Sequence, residues 1–312
     1  MEYAEHKSVL LNECIENLNI KPEGVYLDGT LGLGGHSYEI ASRLAGKGVL
    51  ICIDKDDFAL QYASERLAEF RERIIFVKDD FRNAASVIEN AGRGPADGLL
   101  FDLGVSSPQL DNADRGFSYM LDAPLDMRMD TKSALTAETV VNSWPEDELV
   151  RILFEYGEER YARRIAAGIA ERRKNIPIET TLELVDVIKS SMPSSALREK
   201  QHPAKRTFQA IRIAVNDELG AVTEMMDTVP DVMNRGGRLC VISFHSLEDR
   251  IVKTKIASRE NGCTCPREAP VCTCGFVQTL KNVSRKPITA SEEELENNPR
   301  ARSAKLRVAE RV

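Results

Sequence analysis

The sequence has no apolar run approaching the length that crosses a bilayer. Its first residues, Met1-Glu2-Tyr3-Ala4-Glu5-His6-Lys7, lack the charged-then-apolar order of a secretory leader. Both features predict a cytoplasmic protein whose cysteines stay reduced. Aromatic residues are few, 6% of the chain with a single Trp. Internal repeats and low-complexity tracts are missing, which argues against solenoid and disordered classes. No net positive charge advertises a nucleic-acid binder, since the 312 residues carry a formal charge of −7. The balance is uneven, however. Arg198, Lys200, Lys205, Arg206 and Arg212 cluster with one acid, Glu199, and local patches matter more to a polyanion than the total does. The bland reading of such runs is a solvated helix face.

What is present begins with Asp28-Gly-Thr-Leu-Gly-Leu-Gly-Gly-His36. Val25-Tyr26-Leu27 before it suits a buried strand, and Ser37 to Leu44 after it has helical spacing. Strand, glycine turn and helix form the setting of a nucleotide-type loop. Gly32, Gly34 and Gly35 let backbone approach a ligand without a Cβ in the way. The order is not the dinucleotide fingerprint, because the sixth position is Ser37. Asp28 at the strand end favours a ligand with amino or hydroxyl groups over a pyrophosphate, and S-adenosylmethionine is such a ligand. Asp54 ends the next apolar run, where ribose hydroxyls are held. Phe81, after the third run, can lie against an adenine.

Strand runs over 48–54, 74–77, 98–102 and 238–244 alternate with helical stretches. They predict an α/β, doubly wound, Rossmann-like parallel sheet with its ligand at the strand C-termini. Residues 304–309 suit a last, antiparallel strand at or near the edge. From Thr136 to about Ser191 only helical periodicity is visible, so residues 111–200 read as an inserted all-helical domain between 1–110 and 201–312. One helix, Thr207 to Met226, resumes the α/β part, and Ser246 with Asp249 has capping-box spacing.

Asp102 ends the fourth strand, followed by Ser106-Ser107-Pro108-Gln109. A carboxylate and a hydroxyl here can accept both N–H groups of a base amine and hold its nitrogen in line with a methyl sulfonium. Many amino-methyltransferases carry an acid-or-Ser-Pro-Pro-aromatic motif at this place; Ser-Ser-Pro-Gln matches it imperfectly. Binding the cofactor alone and acting on the amine both stay open for Asp102.

Gly-Leu-Gly-Gly-His-Ser, Asp-Leu-Gly-Val-Ser-Ser-Pro-Gln-Leu-Asp, Arg-Gly-Phe-Ser-Tyr-Met, Pro-Leu-Asp-Met-Arg-Met-Asp, Arg-Thr-Phe-Gln-Ala-Ile-Arg-Ile and Ser-Phe-His-Ser-Leu-Glu-Asp-Arg together resemble the ribosomal RNA small subunit methyltransferase H family, also called MraW. That resemblance spans Lys7 to Arg307. It implies S-adenosylmethionine-dependent methylation of the exocyclic amine, N4, of one cytidine in the decoding centre of 16S rRNA. Carried over motif by motif, cofactor contacts are Gly34, Gly35, His36, Asp54, Phe81, Asp102 and Gln109, to which the loop reading adds Asp28 and Gly32. Candidate catalytic residues are Asp102, Ser107 and His245, the last with a helix cap as its structural alternative. Arg115, Arg128, Lys205, Arg206 and Arg212 are candidates for RNA, with Phe117 beside a flipped base. The partner is then the small ribosomal subunit, with no membrane; monomer or homodimer is not set by the sequence. Rival readings are a non-catalytic RNA-binding assembly factor and a DNA amino-methyltransferase. An NAD-dependent dehydrogenase is disfavoured by Asp28.

Cys263-Thr-Cys265 and Cys272-Thr-Cys274 are two C-x-C pairs. Four such thiolates can hold a structural zinc, but the usual C-x-x-C spacing is missing and reduced thiols explain them equally. The sequence alone assigns no metal.

Overall fold

The chain is described here by a computed structural model over residues 7–266, 271 and 273–312; Cys272 lies outside the described residues. It forms two compact units, one from the chain up to Gly104 with Leu219–Val312, the other Val105–Glu218.

The first unit is an α/β sheet. Its strands are β1 (Val25–Asp28), β2 (Val49–Asp54), β3 (Ile74–Lys78), β4 (Ala96–Asp102), β5 (Met233–Ser243), β6 (Leu280–Asn282) and β7 (Lys305–Arg311). They lie in the order β3-β2-β1-β4-β5-β7-β6. The first five run parallel, and β7 is antiparallel to both β5 and β6. The apolar runs are strands because both faces are covered. Leu27, Ile51, Leu99, Phe101 and Val241 point into one core. Their neighbours Tyr26, Leu50, Leu100, Cys240 and Ile242 point into the other. This alternation is the period of two that a pleated strand imposes. Each large side chain buried this way contributes about 1.5–3 kcal/mol.

Strand order reverses at β1, which pairs with β2 on one side and β4 on the other. That is where a doubly wound sheet opens a crevice for ligand. The register places the acids there. Asp28 pairs with Cys52 and with Leu100, so Asp54 and Asp102 stand two residues further along the flanking strands.

The second unit packs helices Ala137–Ser143, Glu146–Glu155, Ala162–Arg172, Thr181–Ser191 and Lys205–Asn216 around one apolar cluster. Three expectations shift. The helix expected over 207–226 breaks at Asp217, whose backbone is left-handed at φ 48°. Its first half, with Phe208, Ile211 and Val215 buried against Ile152 and Ile165, belongs to the helical unit. The unit boundaries therefore fall at 105 and 218 rather than 111 and 200. In addition, β6 has no counterpart in the sequence reading, because three residues are too few to show a period. Among the described residues no helix is long and apolar enough to cross a membrane.

Gly29 carries the turn out of β1 past the face of Phe101, and a Cβ on it would overlap that ring. We expect Gly29→Ala to lower unfolding stability by about 1–3 kcal/mol through overpacking. Adding Phe101→Leu to the same chain should restore part of the loss in a denaturant titration.

Candidate active site

The loop after β1 is held from below by carboxylates. Asp28 is 1% exposed. One of its oxygens accepts the Thr30 N–H at 3.1 Å and the other accepts the Ser37 hydroxyl at 2.7 Å. The first bond, from a residue two positions ahead, is an Asx-type turn. Thr30 in turn accepts the Asp102 N–H on its hydroxyl at 2.6 Å, which ties the loop to β4. Asp54 reaches across from β2. Its two oxygens accept the N–H groups of Gly32 and Asp56, each at 2.9 Å. Gly34, at φ 75°, turns the chain into the helix Gly35–Arg43. Its missing Cβ leaves room for Ala63, at 3.2 Å from where that atom would sit. Gly35 lies against Ser8, where a Cβ would collide with the hydroxyl. At Gly32 the space is open, since a Cβ would meet only the Thr30 carbonyl at 3.9 Å. The loop therefore leaves backbone at its tip accessible to a ligand.

Asp102 is the odd member of this set. Its Oδ1 is buried and has no hydrogen-bond partner, yet the side chain as a whole keeps 25% of its surface exposed. Its Oδ2 lies 3.9 Å from Nδ1 of His36. The other ring nitrogen of His36, Nε2, is 3.1 Å from the Val9 carbonyl. A carbonyl only accepts, so Nε2 carries the proton and Nδ1 faces the carboxylate. His36 thus pins the Ser8–Val9 segment. Leu10 is fixed from the other side, where its N–H donates to Glu294 at 2.8 Å. In this structure His36 is a brace buried behind the loop rather than a surface aimed at a ligand.

Burial pushes the carboxyl groups of Asp28 and Asp54 up to about 6. Burial, then the nearby charges of Asp28 and Glu248, drives Asp102 well above the usual carboxylate range. Three acids at adjacent strand tips make the crevice hostile to a pyrophosphate and receptive to a cation. A sulfonium-bearing nucleoside meets these conditions: accessible backbone at Gly32, a carboxylate at Asp54 and an unpaired buried oxygen on Asp102.

The remaining expected residues fall in two places. In the sheet unit, Phe81 packs edge-on against Phe101, with ring centroids 6.1 Å apart, as part of the core. His245 caps the helix Ser246–Glu260, accepting the Glu248 N–H while Glu248 accepts the His245 N–H. The cap therefore sits one residue before the Ser246–Asp249 pair expected from spacing. In the helical unit, Ser107 and Gln109 are buried in the short helix Ser107–Asp111, and the Gln109 carbonyl accepts the Ser106 N–H at 3.0 Å. Three candidate RNA arginines are engaged by their own chain. Arg115 donates to the carbonyls of Arg128 and Met129. Arg128 forks onto Asp126 and also donates to Ser133. Arg212 forks onto Glu218, both bonds at 2.8 Å. Phe117 is core rather than a platform for a base. Lys205 is exposed, and Arg206 donates to the Glu158 carbonyl. The sequence reading missed Thr30 and Ser37; the signal was there, a Thr two residues after a strand-end Asp.

Asp28 binds its proton more tightly folded than unfolded, so it favours folding as pH falls through about 6 toward 4 and opposes it above that window. Asp28→Asn removes the charge and keeps both bonds, because Ser37 can turn to accept from the amide and donate to Cys52 3.4 Å away. The variant should be more stable than the parent by about 1–3 kcal/mol at pH 8 and level with it near pH 4. Thermal melts across that range measure it.

A family model described as the MraW methylase family matches residues 3–312. A ribosomal RNA small subunit methyltransferase H of Clostridioides difficile is 56% identical over 312 residues, covering all of both chains. One of Brevibacillus brevis is 54% identical over 98% of each. Among solved structures, an rRNA methylase from Streptococcus thermophilus overlays with a TM-score of 0.42 at 12% identity, covering 97% of this chain and 93% of its own. The chain belongs to the MraW methylase family, a family of S-adenosylmethionine-dependent methyltransferases.

Proposed function

We propose that this chain methylates the exocyclic amine, N4, of one cytidine in the decoding centre of 16S rRNA, acting in the cytoplasm on the small ribosomal subunit. Relatives at 56% and 54% identity bear the name ribosomal RNA small subunit methyltransferase H, which supports the substrate class. The observation that carries the reading is the partly exposed carboxylate of Asp102 at the end of β4, beside a loop fit for the methyl donor.

The bound cofactor supplies a methyl group on a cationic sulfur. Everything else falls to the chain. Asp54 still has lone pairs beyond the two it gives to Gly32 and Asp56, and these accept ribose hydroxyls. A cation beside Asp102 favours its charged form, reversing the effect of burial. Ionised Asp102 then accepts one N–H of the cytosine amine. This acceptor draws electron density onto a nitrogen whose lone pair is otherwise delocalised into the ring, and fixes its direction. After transfer the nitrogen loses its extra proton to water, so no strong base is required and His245 can remain a cap. The target base must be unstacked to reach the strand tips. Lys205 and Arg206 are the basic candidates left to hold phosphates, which set register without reading sequence; Arg115, Arg128 and Arg212 instead shape the helical unit.

The test is transfer of a labelled methyl to small subunits from cells lacking the modification. Wild type should incorporate label at cytidine N4. Asp102→Ala should lower kcat by about 10²-fold or more, with folding unimpaired. Equal turnover by the variant, or label entering DNA and not the particles, overturns the reading.

A further inference from the structure

The connection from the helix Ser246–Glu260 to β6 is long and, among its described residues, has no regular structure. Connections of this length inside a compact unit need an organising contact of their own. Its base is already closed. Thr279 donates its N–H to the Arg259 carbonyl at 3.1 Å, and the Glu260 carboxylate accepts the backbone and side-chain N–H groups of Asn282. The part beyond the base carries four cysteines, of which Cys263, Cys265 and Cys274 lie among the described residues. The sulfur atoms of Cys263, Cys265 and Cys274 all lie within 4.8 Å of one another, and those of Cys263 and Cys274 are 3.6 Å apart.

We propose that Cys263, Cys265 and Cys274 bind one zinc(II) ion through their thiolates, forming a structural clasp in the connection before β6. Four ligands at 2.3 Å around a tetrahedral ion stand roughly 3.8 Å from each other, which matches the spacing of these sulfurs. The surroundings suit thiolates. The Thr273 N–H donates to the sulfur of Cys265 at 3.2 Å, the kind of outer contact that orients a ligating thiolate. Gly275, directly after Cys274, has φ 71° and open space where a Cβ would stand, so the backbone turns sharply behind the last ligand. An all-sulfur donor set selects a soft or borderline ion over magnesium or calcium, which require oxygen. Binding converts each thiol to thiolate, and the protons leave to solvent. Three thiolates this close repel one another without a cation, so the ion stabilises the packed arrangement. The donor set is these three residues, and the remaining coordination position is open to a further ligand. The clasp stands apart from the methyl-transfer reading and survives its failure.

The test uses the full chain, stripped with chelator under a phosphine reductant and titrated with zinc sulfate against a chromophoric competitor. Wild type should take up one zinc per chain. The triple variant Cys263→Ala, Cys265→Ala, Cys274→Ala should bind at least 100-fold more weakly, while circular dichroism confirms its fold. Cobalt(II) in place of zinc should give wild type the intense visible bands of a tetrahedral thiolate site, and these should be lost in the variant. Zinc binding no tighter in wild type than in the variant, or only the pale spectrum of octahedral cobalt, overturns the proposal.

Discussion

Everything at the candidate site depends on a carboxylate placed under a loop. Asp28 is nearly sealed from water, and its two oxygens are taken by Thr30 and Ser37. These two bonds fix both ends of the glycine turn, one at the strand exit and one inside the following helix. Thr30 then orients β4 through its bond to the Asp102 N–H, and Asp54 fixes the middle of the turn through Gly32. Three acids from three adjacent strands are joined into one frame by hydrogen bonds to a single loop. Burying acids raises their proton affinity, and the frame carries that cost. A cationic ligand relieves it, so the same packing that weakens the bare loop favours the intended occupant.

The sheet was legible because its strands are buried on both faces. Val49-Leu50-Ile51-Cys52-Ile53 can be little else than a central strand, and each such run ends in the acid that marks its ligand end. The alternating Lys305-Leu306-Arg307-Val308 run gave the antiparallel strand, which pairs with β5. Where tertiary contacts decide, the reading slipped. Nothing local separates Asn216 from Glu218 in a continuous helical pattern. The break at Asp217 exists because Phe208, Ile211 and Val215 are claimed by the helical core.

The site residues divide in the same way. Asp54 and Asp102 were readable from their position at strand ends, and the structure brings both to the loop. Asp28 was readable as important but not as a brace, because sequence does not show which way a carboxylate turns. The arginines misled for a related reason. Arg128 lies two residues after Asp126 and Arg212 six before Glu218, and only the folded loop and helix junction bring these partners into bidentate contact. A charge count does not show that Arg212, inside the basic patch, is paired with Glu218. His245 and Gln109 are similar: both look like chemistry in a motif, and both answer backbone N–H groups at helix starts.

The backing of the loop includes a contact between residues 284 positions apart, Leu10 and Glu294. Val9, next to Leu10, is the group that orients His36. The central strand β5 also arrives only after the whole helical unit has been made. During synthesis, a nascent chain already holds the glycine turn and all three acids long before it holds what keeps them in place. Competence to grip a nucleoside thus waits until the segment that carries Glu294 has been made.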